Sequence, residues 1–206
     1  MLSLDSKIIE LYTKKYLSVQ QISEEVYISS PRIRTILEKN NIKRRSRSEA
    51  ITRLNITKHG KHPFEVKEVL TEKEEKLKIA GVMLYWGEGT KNGNTVAFSN
   101  SNPEMIVVFL RFLRIICGVS DSRVKALIHM YKDHSEKELM KFWSRVTQIP
   151  EANFYKSFNH GSKGGTYKKT SKYGTLSLRY SDKKLLQIIN SWIYEYSKKL
   201  GSEMPL

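Results

Sequence analysis

The sequence predicts an α+β protein in two parts. A small all-α domain comes first, followed by a larger domain with helices packed on one face of an antiparallel or mixed sheet. Three observations predict this. The 206-residue chain suits one small and one medium domain. Its first forty residues carry three short 3.6-period apolar patterns with capping signals. Beyond residue 71, period-2 stretches alternate with longer helical ones, and a short loop before the last strand suggests an antiparallel hairpin. The expected divisions are 1–47, a connection over 48–70, and 71–201. Hydrophobic residues make up 39% of the chain, enough for a packed core and too many for a disordered one.

The elements follow in order. Asp5 is the expected cap of a first helix carrying Ile8, Ile9 and Leu11. Ser18 opens a second, with Gln21 placed to complete a capping box and Ile22 and Val26 facing inward. Ser30 and Pro31 start a third, which runs to about Asn40 with Ile33, Ile36 and Leu37 inside. Two helices joined by about four residues, the second beginning with small polar residues, follow the helix-turn-helix plan. The stretch 8–45 resembles the helix-turn-helix of resolvase-type recombinases and related regulators, through Ser18-Val19-Gln20-Gln21-Ile22-Ser23 and Ile33-Arg34-Thr35-Ile36-Leu37. That resemblance implies that Ser30, Pro31, Arg32, Arg34 and Thr35 lie near a DNA groove and Lys39 near phosphate. Arg32 is the candidate for a bidentate contact to guanine. Lys43, Arg44, Arg45 and Arg47 follow as a basic arm, suited to backbone or minor-groove contact.

Ser48 to Leu54 extends a helical pattern that His59-Gly60-Lys61-His62-Pro63 breaks. The two histidines there read as surface-loop residues. In the second domain Thr71 to Glu74 forms a capping box, and the helix it opens turns apolar from Leu77 to Leu84. Strands are expected at 95–99, 123–131, 154–158 and 175–180, with helices at 102–117, 135–147 and 182–199. Trp86, Trp143 and Trp192 lie in apolar helical runs and read as core. Cys117 stands alone, away from any zinc-ligand spacing, and reads as a small buried residue.

The run Ile79-Ala80-Gly81-Val82-Met83-Leu84-Tyr85-Trp86-Gly87-Glu88-Gly89-Thr90 resembles the signature helix of the LAGLIDADG homing endonucleases, with about two residues inserted before the acid. The resemblance implies a homodimer through the 73–89 helix, double-stranded DNA as partner, and Glu88 as the catalytic acid and ligand of a divalent metal, Mg²⁺. A carboxylate at a helix C-terminus opposes the helix dipole, a cost that a bound cation offsets. Gly87 is the candidate small contact on the dimer axis, where Tyr85 and Trp86 need room. The same fold also serves regulators that bind DNA without cutting it, so nuclease and transcriptional regulator both stay open.

The remaining patterns suit a DNA-facing sheet. Val124, Ala126, Ile128 and Met130 alternate with Arg123, Lys125, His129 and Tyr131, and Leu176, Leu178 and Tyr180 alternate with Thr175, Ser177 and Arg179. The intervening loop adds Lys163, Lys168 and Lys169 without any Walker spacing. A formal charge of +15 favours a polyanionic partner. No apolar run reaches the roughly 18 residues that span a bilayer, and no signal-peptide pattern opens the chain. A nucleic acid is therefore expected over a membrane, and an intracellular location with it.

Overall fold

A computed structural model describes residues 3–46, 49–50, 52–53, 56–57, 62–132, 134–161 and 171–201. The chain is α+β and divides into two compact units, 1–63 and 64–206.

The first unit holds helices α1 (Leu4–Thr13), α2 (Val19–Val26) and α3 (Ser30–Lys39) around Ile8, Leu11, Tyr12, Ile22, Ile33, Ile36 and Leu37. Ser18 and Gln21 form the expected capping box on α2. Two expected caps shift. Ser3 caps α1 by accepting from the Ser6 amide at 3.2 Å, leaving Asp5 in the first turn, where its charge favours the dipole. The α3 cap is Ser29, one residue before the expected Ser30, whose hydroxyl turns instead to Gln20 Oε1 at 3.5 Å. Tyr27, between α2 and α3, takes a left-handed conformation (φ 56°) that turns the chain. The described residues from 49 to 57 are helical.

The second unit starts with a strap. Phe64, Val66 and Leu70 pack on its core, and the Glu65 and Lys67 amides donate to Gly118 O and Ile116 O. Gly118 needs to be glycine on two counts: φ is +58°, and a Cβ there would lie 2.0 Å from Glu65 O. Helix α4 (Glu72–Glu88) begins at the Thr71–Glu74 capping box. Strand β1 (Val96–Asn100) leads to α5 (Pro103–Arg111), which Asn102 caps through Glu104 N and Met105 N. A π-turn at Phe112–Ile116 widens the end of α5 and turns Phe112, Leu113 and Ile116 inward. After a 3₁₀ turn at Asp121–Arg123 come β2 (Lys125–Met130), α6 (Glu136–Thr147), the short β3 (Phe158–Asn159), β4 (Thr175–Tyr180) and α7 (Lys183–Gly201).

The sheet order is β1-β4-β2-β3, with β4 antiparallel to both neighbours and β3 parallel to β2. The expected hairpin between the last two strands does not form, because β2 lies between them. Leu176, Leu178 and Tyr180 make β4 the strand with most to bury, and it takes a central place where both edges are covered. The strand expected over 154–158 is reduced to an isolated bridge at Phe154 and two residues of β3. Trp143 and Trp192 are buried as expected, but Trp86 is 41% exposed on the outer side of α4.

Gly81 faces inward, where a Cβ would sit 2.2 Å from Phe112 Cγ. Gly81→Ala is therefore expected to lower stability by about 1–3 kcal/mol through overpacking. An unchanged melting curve would show that the π-turn yields freely.

The start of α4 also predicts a pH dependence. The Glu74 carboxylate accepts from Lys67 Nζ at 2.6 Å and from the Thr71 amide and hydroxyl, holding it at about 2 against an ordinary 4.5. Its folded value lies below its unfolded one, so its contribution is complete above about pH 4.5 and disappears as pH falls towards 2. A carboxyl titration by NMR should find the Glu74 midpoint near 2; one near 4.5 would mean that the lysine and threonine do not clamp it in solution.

Candidate nucleic-acid interface

Strand alternation gives the sheet two unlike faces. Val96, Phe98, Ala126, Ile128, Leu176, Leu178 and Tyr180 belong to one buried core with α4 to α7. The opposite face follows from the register. Ala97, Arg179 and Lys125 form one row, Ser99, Ser177 and Leu127 the next, and Thr175, His129 and Phe158 the third. None of these residues is acidic. Leu127 on this face does not join the core, and Ser99 Oγ donates to Ser177 Oγ at 2.9 Å.

Arg179 is exposed, and its side chain makes no hydrogen bond or ion pair among the described residues. Lys125 is half-buried, and Asn153 Oδ1 holds its Nζ at 2.7 Å, fixing the ammonium over the sheet. His129 Nδ1 lies 3.2 Å from His160 Nε2. Partial burial, then the charges of His160 and Arg179, hold the His129 imidazole below its ordinary range and favour the neutral ring. Arg123 departs from the expected set. It lies on the 3₁₀ turn, not on β2, and its guanidinium donates to Tyr180 Oη and Ser181 O and lies 3.8 Å from Asp182. With that side chain only 17% exposed, Arg123 joins the β4 end to α7 and is not free for a ligand. Lys163, Lys168 and Lys169 lie outside the described residues.

Helix α4 delivers Glu88 to the rim of this sheet. Glu88 is its last residue and is exposed; Gly89 bridges Phe98, and the Thr90 amide donates to Ala97 O on β1. Tyr85 anchors the junction from inside. It is fully buried, stacks on Phe109 at 5.6 Å and donates to Thr90 O, and burial pushes its phenol up to about 12. The room expected for Tyr85 at an interface is therefore not needed, since it points into its own core. Lys91 Nζ donates to Gly89 O at 2.7 Å, and Asn190 Nδ2 to Lys91 O at 2.9 Å, so the turn after the acid is tied down.

Outside, Ala80, Met83, Leu84 and Gly87 recur at helical spacing and line a shallow groove with Met105 and Val108 of α5. Glu88 and Glu104 lie along the same groove. Glu104 carries no distinguishing signal in sequence, because an acid in the first turn of α5 is an ordinary helix-start feature. A Cβ on Gly87 would meet nothing within 4 Å. Among the described residues no group of three or more His, Cys, Asp or Glu could hold a metal ion.

In the first unit, Pro31, Arg32, Arg34, Thr35 and Lys39 are exposed and Ser30 is half-buried. Ile33, Ile36 and Leu37 bury the other side of α3, so its cations all face solvent. Lys43 and Arg44 are exposed as well, whereas Arg47 lies outside the described residues. Arg45 folds back: its amide bonds Tyr12 Oη, its guanidinium bonds Tyr16 O and Leu17 O, and it stacks 4.1 Å over the Tyr12 ring. A cavity of about 380 Å³ opens beside it, whose lining includes Lys15, Arg34, Arg44, Arg45 and Arg53 and, among the described residues, no acid. Lys15 and Arg53 do not stand out in sequence; only the fold gathers them with the arm.

No protein-family model, curated protein or solved structure matches the chain.

Proposed function

We propose that this chain is a sequence-specific double-stranded DNA-binding protein of the homing-endonuclease type, preceded by a helix-turn-helix domain. The observation that carries this reading is the open sheet face, on which Lys125, His129, Thr175 and Arg179 stand with no acid. Donors fixed on a twisted sheet suit base edges in a major groove, which admits a β-ribbon. The first unit adds a second contact surface of the same sign. The exposed Arg32, Arg34 and Thr35 of α3 suit a recognition helix, and the cation-lined cavity beside Arg44 suits a backbone phosphate.

The partner subunit in this reading is a second copy. The later half of α4 is apolar on every side, with Val82 and Tyr85 inside and Ile79, Trp86 and the Ala80–Gly87 stripe outside. A helix of that kind belongs between two layers of protein, and the glycine lets a second helix approach closely. Glu88 of each protomer then stands near the axis. Magnesium takes oxygen ligands, commonly one or two carboxylates with water and phosphate. Glu88 and Glu104, which line the same groove, are the carboxylates that would hold the metal, which when bound would polarise a phosphodiester. The chain's own part is to fix the turn that follows that acid, through the Tyr85, Lys91 and Asn190 contacts, beside a face that positions DNA. The alternative is a non-cleaving transcriptional regulator of the same fold, favoured by Trp86, a bulky exposed ring two residues before Glu88.

Selection from random duplexes, followed by incubation of the winner with magnesium, tests the reading and separates the two forms. Within it, Arg32→Ala should relax preference at one or two base pairs at a cost of about 1–3 kcal/mol. Equal weakening on every duplex would reassign Arg32 to the backbone. Lys43→Ala with Arg44→Ala should instead weaken all duplexes alike and lower the salt slope by about 0.9 for each phosphate that is no longer neutralised. An unchanged slope would take the arm off the DNA.

A further inference from the structure

At the β3 edge of the open face, Phe158, Tyr131 and His160 collect around His129, and duplex binding as proposed above uses only the last of these four rings. The register places His129 and Phe158 side by side, and alternation puts Tyr131 and His160 on the same face two residues on. His160 is the hub. Its ring centroid is 4.7 Å from Phe158, edge-on, 5.4 Å from His129 and 5.5 Å from Tyr131. The His129–His160 nitrogens meet at 3.2 Å with the rings 26° apart, so the two imidazoles lie nearly end to end and extend one surface. Phe158 remains 54% exposed and His160 is exposed beside it. A two-residue edge strand does not need a large exposed ring for its own stability.

We propose that this cluster is a stacking platform for an unpaired base of single-stranded DNA. The inference rests on the reading of the open face as a DNA surface and adds a different ligand state to it. Charge selects the occupant. The platform lies beside the third row of the face, two rows from Arg179 and Lys125, and Lys132, Lys156 and Lys172 are exposed or half-buried in the adjoining segments. An apolar peptide would gain nothing from those cations, whereas a single strand offers a phosphate at each nucleotide. Bases within a duplex present only their edges, and their faces are occupied by neighbours. The rings therefore act on a base that is out of the stack, at a single-stranded end or a locally opened step. Imidazole and phenol groups also carry donors and acceptors that reach a base edge, which distinguishes this platform from an all-phenyl one.

The test uses the full chain and a short single-stranded DNA carrying one 2-aminopurine, whose fluorescence falls when it stacks. The wild type should quench it at saturation. Phe158→Ala should weaken single-strand affinity about 5- to 150-fold and abolish the quench, Phe158→Tyr should restore both, and Phe158→Leu should not. Affinity for the selected duplex should stay within about twofold, since paired bases offer no face to the ring. Far-UV circular dichroism and melting of each variant separate lost stacking from lost fold. Saturated wild-type complexes without quenching, or equal single-strand affinity for Phe158→Ala and wild type, would overturn the platform while leaving duplex binding intact. Failure of the wild type to bind any duplex would instead count against the reading of the face itself, and the single-strand measurement would still decide the platform.

Discussion

Glu88→Gln is expected to abolish magnesium-dependent cleavage of the selected site while leaving binding in the absence of metal unchanged or slightly tighter. Glutamine keeps the length and hydrogen-bonding reach of the side chain but removes the charge that a divalent cation needs. Binding should not suffer, because Glu88 is exposed and takes part in no ion pair among the described residues, and one negative charge near phosphate is gone. The fold should not suffer either. A carboxylate at the C-terminus of α4 opposes the helix dipole, so neutralising it removes an unfavourable interaction of up to about 1 kcal/mol. Cleavage should therefore disappear while metal-free affinity and melting temperature hold or rise. A fall in all three together would make Glu88 a structural residue. A wild type that binds its site as a dimer, yet leaves it intact in magnesium and manganese, is the regulator.

Gly87→Glu is expected to separate the protomers without harming either. Glycine inside a helix costs roughly 0.5–1 kcal/mol relative to alanine, and a Cβ at Gly87 meets nothing within its own chain. The single chain's stability should therefore change little, because the gain from replacing glycine is offset by the cost of a second carboxylate at the C-terminal end of α4. In the proposed dimer the added carboxylate would enter an apolar contact between Met83, Leu84 and the facing helix, where burying an unpaired charge is prohibitive. Sedimentation should shift from two chains to one, and affinity for a two-fold-symmetric site should fall on the order of 10²–10⁴-fold as binding becomes monovalent. Gly81→Ala provides the contrast, because that glycine faces Phe112 and its substitution should destabilise the chain without addressing the dimer. Unchanged sedimentation of Gly87→Glu would mean that the groove has another use.

The helices were legible in sequence where local chemistry decides them. Ser18 with Gln21, and Thr71 with Glu74, satisfy end amides within four residues, so their signal is complete in the chain itself. The alternation along β2 was legible for the same reason: one face is buried and the other is not. Strand order was not, because it depends on which strand gains most by lying between two others. A short loop before β4 says nothing about β2 entering between β3 and β4. Side-chain commitments also escaped. Arg45 and Arg123 look like any exposed cation in sequence, but Tyr12 and Tyr180, respectively 33 and 57 residues away, take them up. The inward aim of Gly81 and Tyr85 and the outward aim of Gly87 came only with the fold, since the later half of α4 is apolar all round and periodicity assigns it no inner face. The ring cluster at His160 depends on the parallel β2–β3 register, a pairing across 29 residues.

Whether the open sheet face reads duplex DNA is tested most directly by selection from random duplexes, with the wild type and Arg179→Ala in parallel. Arg179 is suited to this comparison because it stands exposed on an inner strand of the face, its side chain free of hydrogen bonds and ion pairs among the described residues. The wild type is predicted to enrich a defined site. Arg179→Ala should enrich the same site with preference diminished at one or two positions, a cost of about 1–3 kcal/mol there. No enriched site for the wild type, or the same site with undiminished preference at every position for Arg179→Ala, would contradict the reading.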